Sequence, residues 1–250
     1  MSLVLTVFLS ISIRSQEVTD FINDYYRISV QGNYLSFKAG ETNSFKDPIV
    51  SYTITKSPGA LYGIGINVWN TKHWNFKTGF LLKYNEIAEH YFFPKEQSQY
   101  PIDIGYSTRF SDYGKIITIP INVEYIFSIS KNIKPYLTSG FSIGYYREYG
   151  GSGLEGLGGA LIENIYDDMS DKPFYSNFEV GGGFYFPLKH LMIQAQFAYS
   201  KSFTNILEGS YTVSNIVGQD YTSTTGTLSQ SGDYWAVGLS FYFKKRGKNK

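Results

Sequence analysis

The sequence predicts an all-β chain, an eight-stranded antiparallel up-and-down transmembrane β-barrel, and three observations carry that prediction. In the run Tyr234–Phe243, the residues Trp235, Val237, Leu239, Phe241 and Phe243 fall on one side of an extended strand, while Ala236, Gly238, Ser240 and Tyr242 fall on the other. A soluble sheet would turn Lys, Glu or Thr to water opposite its apolar face; here the opposite face is small and weakly polar, which places lipid outside and a packed interior inside. The same period of two returns in seven earlier segments, and the links between the eight segments alternate short with long.

Taken in order, Leu3 to Ile13 is an unbroken stretch of apolar and hydroxyl residues followed by Ser15 and Gln16. It reads as a signal peptide over residues 1–15, with its start expected upstream because no basic residue precedes Arg14. The first strand, Arg27 to Phe37, puts Ile28 and Val30 outward and is expected to change phase near Gly32 and Asn33, as a bulge would, so that Leu35 and Phe37 also face out. The second, Ala60 to Trp69, sets Tyr62, Ile64, Ile66 and Val68 against Gly63, Gly65 and Asn67. The third sets Trp74, Phe76, Thr78, Phe80, Leu82 and Tyr84 against Asn75, Lys77, Gly79, Lys83 and Asn85. The fourth, Ile117 to Phe127, carries Ile119, Ile121, Val123 and Tyr125 outward with Thr118, Asn122 and Glu124 inward, and its Pro120 predicts a missing ladder bond or a bulge. The fifth spans Lys134 to Tyr146, the sixth Tyr175 to Phe186 with Glu179 inward, and the seventh Leu191 to Ser200 with Gln194 and Gln196 inward.

Links after strands two, four and six are short, whereas those after one, three, five and seven run to about twenty residues or more. That asymmetry belongs to outer-membrane barrels. It predicts the outer membrane of a Gram-negative bacterium, both termini in the periplasm and four long loops at the cell surface. Residues 16–24 then form a periplasmic N-terminal segment, 25–243 the barrel and 244–250 a basic periplasmic tail. Trp69, Trp74, Tyr84, Phe127, Tyr145, Phe186 and Trp235 lie near strand ends, where interfacial aromatic girdles form.

Composition excludes several classes. No stretch of about twenty apolar residues follows the leader, so helical spans are excluded. A net charge of +1 gives no global field for nucleic acid, and zero cysteines exclude disulfides, thiolate zinc sites and a cysteine nucleophile. A soluble lipocalin-like barrel would have to pack its aromatic face inward, and eight strands leave too little room for so many rings.

The fourth and fifth strands read Ile119-Pro120-Ile121, then Tyr125, a short turn, Lys134-Pro135-Tyr136 and Gly140. This hairpin resembles that of the outer-membrane β-barrel proteins of Bacteroidetes, including the PorT-like group and barrels of the OmpA/OmpX type; Glu124 departs from the lysine often found there. The resemblance implies fold and location for the chain. For some members of that group it also implies a role beside a type IX protein secretion machine.

A hydrolase acting on lipid A would need His90 with Glu86 or Glu89 at the surface end of strand three, but Tyr91 and Phe92 follow His90 and the His-x-Ser spacing is absent. The chain is therefore read as no enzyme, with no catalytic, cofactor or metal residues. Gly151-Ser-Gly153-Leu-Glu-Gly156 matches a phosphate-loop pattern without a strand-to-helix unit around it, and reads as a flexible loop tip. The acidic set Glu148, Glu155, Glu163, Asp167, Asp168 and Asp171 lacks calcium-loop spacing and reads as solvated charge, with cation binding as the open alternative. The loop Gly209 to Gly232 reads as adaptable surface carrying a hairpin of its own.

Inside the barrel, Lys77, Lys83, Asn122, Glu124, Glu179, Gln194 and Gln196 form the expected polar network. Charges of both signs in a narrow bore are costly unless paired, so this network is expected to block the lumen. The function predicted is a non-enzymatic barrel with a closed lumen and long surface loops, in a structural or surface-interaction role. An accessory barrel of a secretion or assembly machine is the alternative, and a lipid A hydrolase the third class. The expected partners are outer-membrane lipid and lipopolysaccharide, the barrel-assembly machinery during insertion, and a protein at the surface loops or in a secretion complex.

Overall fold

The structure is a computed structural model that describes residues 21–44, 51–95, 101–111, 116–130, 132–145, 151–157, 160–166, 174–215 and 222–245. In chain order its strands are β1 (Tyr25–Phe37), β2 (Glu41–Ser44), β3 (Ser51–Thr55), β4 (Pro58–Asn70), β5 (Trp74–Phe93), β6 (Ile104–Ser111), β7 (Ile116–Ile126) and β8 (Lys134–Tyr145). They continue with β9 (Gly151–Leu157), β10 (Ala160–Tyr166), β11 (Phe174–Pro187), β12 (Leu191–Ser202), β13 (Asn205–Asn215), β14 (Thr222–Ser231) and β15 (Tyr234–Lys244).

Eight of these close on themselves in the order β1, β4, β5, β7, β8, β11, β12, β15 and back to β1, each neighbour antiparallel. Closure satisfies every strand's backbone without an edge, the condition for crossing hydrocarbon with strands. The alternation sorts side chains as the sequence requires: Leu239 is 44% exposed on the outer face, whereas Ser240 and Tyr242 beside it are fully buried in the bore. Trp69, Trp74, Tyr84, Tyr145 and Trp235 all face outward. At one rim Trp74 meets Tyr125 edge-on at 4.9 Å; at the other Trp235 stacks on Phe197 at 5.1 Å.

Two local expectations are settled differently. The first strand does not change phase near Gly32 and Asn33: its pairing to β15 runs unshifted from Ser29 to Phe37, and the irregularity lies earlier, between Tyr25 and Ser29. Leu35 and Phe37 therefore point into the bore, where they pack with Leu61, Leu81, Ile116 and Tyr234. An apolar layer inside the barrel, which reading every apolar residue as lipid-facing had no place for, takes them. A bulge does occur on β4 between Asn67 and Trp69, turning both Val68 and Trp69 to lipid. At Pro120 the ladder to β5 skips two rungs, from Ile121↔Thr78 to Thr118↔Leu81, with register unchanged, while Pro120 stays paired to Ser142 on β8. A residue without an N–H removes a bond and leaves the strand straight.

The long links build structure rather than loose loops. β5 holds 20 residues, roughly 65 Å of extended chain, so its second half stands beyond the bilayer. There it carries β3 on one edge and β6 on the other, while β2, β14, β13, β10 and β9 form a five-stranded sheet in that order. The two groups join where the Gly40 N–H donates to the Ile54 carbonyl at 3.0 Å and Thr42 Oγ1 to the Tyr52 carbonyl at 2.7 Å. Residues 151–156, expected to be a flexible tip, form β9 laddered on β10, because an antiparallel neighbour satisfies a glycine-rich backbone as well as any other. The expected hairpin after Gly209 is β13–β14. Tyr52, Ile54, Ile87, Tyr91, Phe93, Leu207, Tyr211, Val213 and Leu228 give this extension its own buried core.

Candidate functional site

From the side of the chain termini upward, the bore is filled in layers. A short 3-10 turn, Phe21–Asp24, lies in the mouth. Its Ile22 is buried with Tyr25, Ile126, Tyr136, Tyr185, Met192 and Tyr242, and Phe21 packs edge-on against Tyr185 at 5.7 Å. The turn is pinned to the end of the chain: the Lys245 N–H donates to the Asp24 carbonyl at 2.9 Å, and Lys245 Nζ to the Asn23 carbonyl at 2.8 Å. Of the N-terminal segment expected at 16–24, the described residues 21–24 form a stopper.

Directly above sits Glu124, brought in by β7 and 2% exposed. Its Oε2 accepts Asn75 Nδ2 at 2.7 Å and the Tyr185 hydroxyl; its Oε1 accepts Gln194 Nε2 at 2.8 Å and pairs with Lys77 Nζ at 3.2 Å. Lys77 Nζ donates onward to Gln194 Oε1 at 2.7 Å, and the Tyr242 hydroxyl reaches the same oxygen at 3.1 Å. Three strands of the barrel wall besides β7 thus place donors around one carboxylate, which offsets the desolvation of a buried charge pair. Of the residues singled out in the sequence, this network unites Lys77, Glu124 and Gln194. It adds Asn75, Tyr185 and Tyr242, whose inward register was legible although their role was not.

Gln196 and Asn122 lie one layer up. Gln196 Nε2 donates to Asn33 Oδ1 at 2.5 Å, in a gap left by Gly238, where a Cβ would sit on that same Asn33 oxygen. Asn122 lines a cavity of about 40 Å³ together with Gln31, Thr118, Thr138 and both carboxylates, Glu124 and Glu179. That is space for a few waters and no solute.

Glu179 closes the cavity from above, its Oε1 accepting the Tyr234 hydroxyl at 2.9 Å and Ser142 Oγ at 3.2 Å. Lys83 is not part of the Glu124 network. Its Nζ lies 4.7 to 5.0 Å from the ring centres of Tyr234, Tyr175 and Phe37, an aromatic cage within the apolar layer that also holds Leu35 and Leu81. Cation–π attraction strengthens where water is excluded, so these three rings stabilise the ammonium.

At the far rim, Asp233 is 3% exposed and accepts Lys201 Nζ at 2.7 Å and the Ser202 N–H at 2.8 Å. Burial pushes the Asp233 carboxyl up, but the Lys201 and Ser202 bonds outweigh it and hold the group below the ordinary carboxylate range. In the extension, Glu89 accepts the Tyr52 hydroxyl at 2.8 Å and the Tyr91 hydroxyl at 2.9 Å inside the core. His90 points the opposite way, its Nδ1 2.8 Å from Ser107 Oγ across the β5–β6 ladder, a pairing that no spacing along one strand could reveal. Glu89, on the other face of the strand, cannot orient that imidazole, and among the described residues no carboxylate bonds to it. The acidic set at 148–171 lies outside the described residues or on strands whose side chains are not described.

No family model matches the chain, and no curated protein does. Among solved structures it is similar to the outer membrane protein OprG from Pseudomonas aeruginosa, at 8% identity over 88% of this chain and 98% of that one, with a TM-score of 0.42. It is similar to Neisserial surface protein A at 12% identity over 86% and 97%, with a TM-score of 0.35. A third is the outer membrane protease OmpT from Escherichia coli, at 11% identity over 87% and 79%, with a TM-score of 0.37. At such identities and scores the eight-stranded assignment rests on this chain's own closed ladder.

Proposed function

We propose that the protein is a non-enzymatic outer-membrane barrel of a Gram-negative bacterium whose lumen is a structural plug and whose work is done by the surface extension. The observation that carries this reading is the layered filling of the bore: a stopper at the mouth, the Glu124 network, a cavity for water alone, and the caged Lys83. A barrel so filled has no route for a solute, which leaves the extension as the part free to meet other molecules. Short turns on the side of the termini and strand-built links on the other support periplasmic termini. A protease-sensitive tag placed after Lys250 is expected to survive external protease on intact cells. Purified protein in a planar bilayer is expected to show no stable large conductance; steady large openings would remove the proposal.

The hairpin from Ile119 to Gly140 supports a second reading, an accessory barrel of a PorT-like secretion machine. Capture of the intact barrel in mild detergent separates the two, since a machine component brings the same membrane partners reproducibly. Lipid, lipopolysaccharide and the barrel-assembly machinery are the partners that either reading requires.

A further inference from the structure

The surface extension repeats the up-and-down order of the barrel beneath it. With β1 and β5 running away from the termini, the antiparallel pairings make β2, β5, β9 and β13 run outward and β3, β6, β10 and β14 run back. Around the ring the sequence is β2, β3, β5, β6, then β9, β10, β13, β14 and β2 again, alternating throughout. Among the described residues, β2 and β3 meet through the Gly40 and Thr42 bonds, whereas β6 is laddered only to β5, and β9 only to β10. In the chain β6 precedes β7 and β9 follows β8, and β7 and β8 are paired to each other up to the rung Ile117↔Tyr145.

We propose that β6 and β9 are the two lips of a seam that zips as an antiparallel ladder, converting the extension into a continuous eight-stranded wall. Four observations converge on it. Their directions are opposite, as an antiparallel ladder requires. Neither strand contains proline, so every backbone group can pair. Each carries a single charge of opposite sign, Arg109 on β6 and Glu155 on β9. The extension's core also runs out at this edge: Ile104 and Tyr106 pack against it but are only partly buried, whereas its other members are nearly inaccessible. A strand laid beside β6 is what that margin lacks. Because both lips belong to one chain, closure is intramolecular and concentration-independent.

The chain has no cysteine, so the test is clean. Ser107→Cys is combined in turn with a cysteine at each position from Gly153 to Leu157, and the folded protein is exposed to mild oxidant in bilayers. The expected result is a cross-linked monomer that peaks at one or two positions, with register setting Arg109 opposite Glu155 favouring Leu157→Cys. Arg109→Glu should slow cross-linking about two- to fivefold, and adding Glu155→Arg should restore it. Cross-linked dimer in place of monomer would show lips that pair between copies, and no cross-link at any position would show lips that never meet; either overturns the proposal. Folding of each variant is checked by its heat-modifiable migration, which a lip mutation outside the barrel is expected to leave intact.

Discussion

Replacing Glu124 by alanine is expected to destabilise the barrel by about 3–5 kcal/mol, the range for breaking a buried ion pair from one side. The carboxylate is nearly inaccessible and Lys77 is 8% exposed, so the ammonium left behind keeps only neutral partners, chiefly Gln194 Oε1 at 2.7 Å. Asn75, Tyr185 and Gln194 also lose their acceptor. Counted separately, each orphaned donor would cost about 1–3 kcal/mol. The cavity beside Glu124 admits water, however, and water can take up part of that loss, which keeps the total near the ion-pair figure. Urea unfolding from lipid vesicles, followed through the fluorescence of Trp69, Trp74 and Trp235, measures the difference, because all three indoles face lipid only in the folded barrel. The double variant Glu124→Ala/Lys77→Met removes both charges and should cost less than the two single changes together, with a coupling of about 1–3 kcal/mol. A single variant within about 0.5 kcal/mol of the parent, or strictly additive effects, would refute the claim that this pair holds the lumen.

Leu239→Arg puts a charge on the lipid face and should cost about 2–4 kcal/mol in the same unfolding measurement if the site lies at mid-bilayer; an unchanged midpoint would mean the outer face is misassigned. Ile22→Ala is expected to cost about 2 kcal/mol by loosening the stopper in the mouth, and a neutral outcome would show that residues 21–24 only rest there. Asp233, held below its ordinary value in the folded state, contributes stability that is fully present above pH about 4 and lost as pH falls through its lower folded value. The stability gap between the parent and Asp233→Asn should accordingly be constant at neutral pH and shrink in strong acid; a gap that widened in acid would reverse the assigned direction.

What could be read from the sequence and what could not divide along one line. The strands, their outward faces and the inward Lys77, Glu124 and Gln194 follow from a period of two, which is a local property of the chain. The exceptions arise where a residue's neighbours are distant in sequence. Leu35 and Phe37 are apolar yet interior because rings from β11 and β15 build an apolar layer across the bore. Lys83 has the same inward register as Lys77 but falls among Tyr234, Tyr175 and Phe37, and alternation cannot distinguish a carboxylate layer from an aromatic one. His90 meets Ser107 through a strand pairing, and the stopper at Phe21–Asp24 is fixed by Lys245 from the other end of the chain.

The same division bears on where function resides. The lumen's network is anchored by a rigid closed wall, so Glu124, Lys77 and Gln194 are fixed by register and directed at one another. In the extension, β6 and β9 instead leave backbone groups at a sheet edge, where only a new pairing can satisfy them apart from water. A change of partner at these edges therefore requires no change in the closed ladder: β7 and β8 remain paired to each other whatever β6 and β9 do.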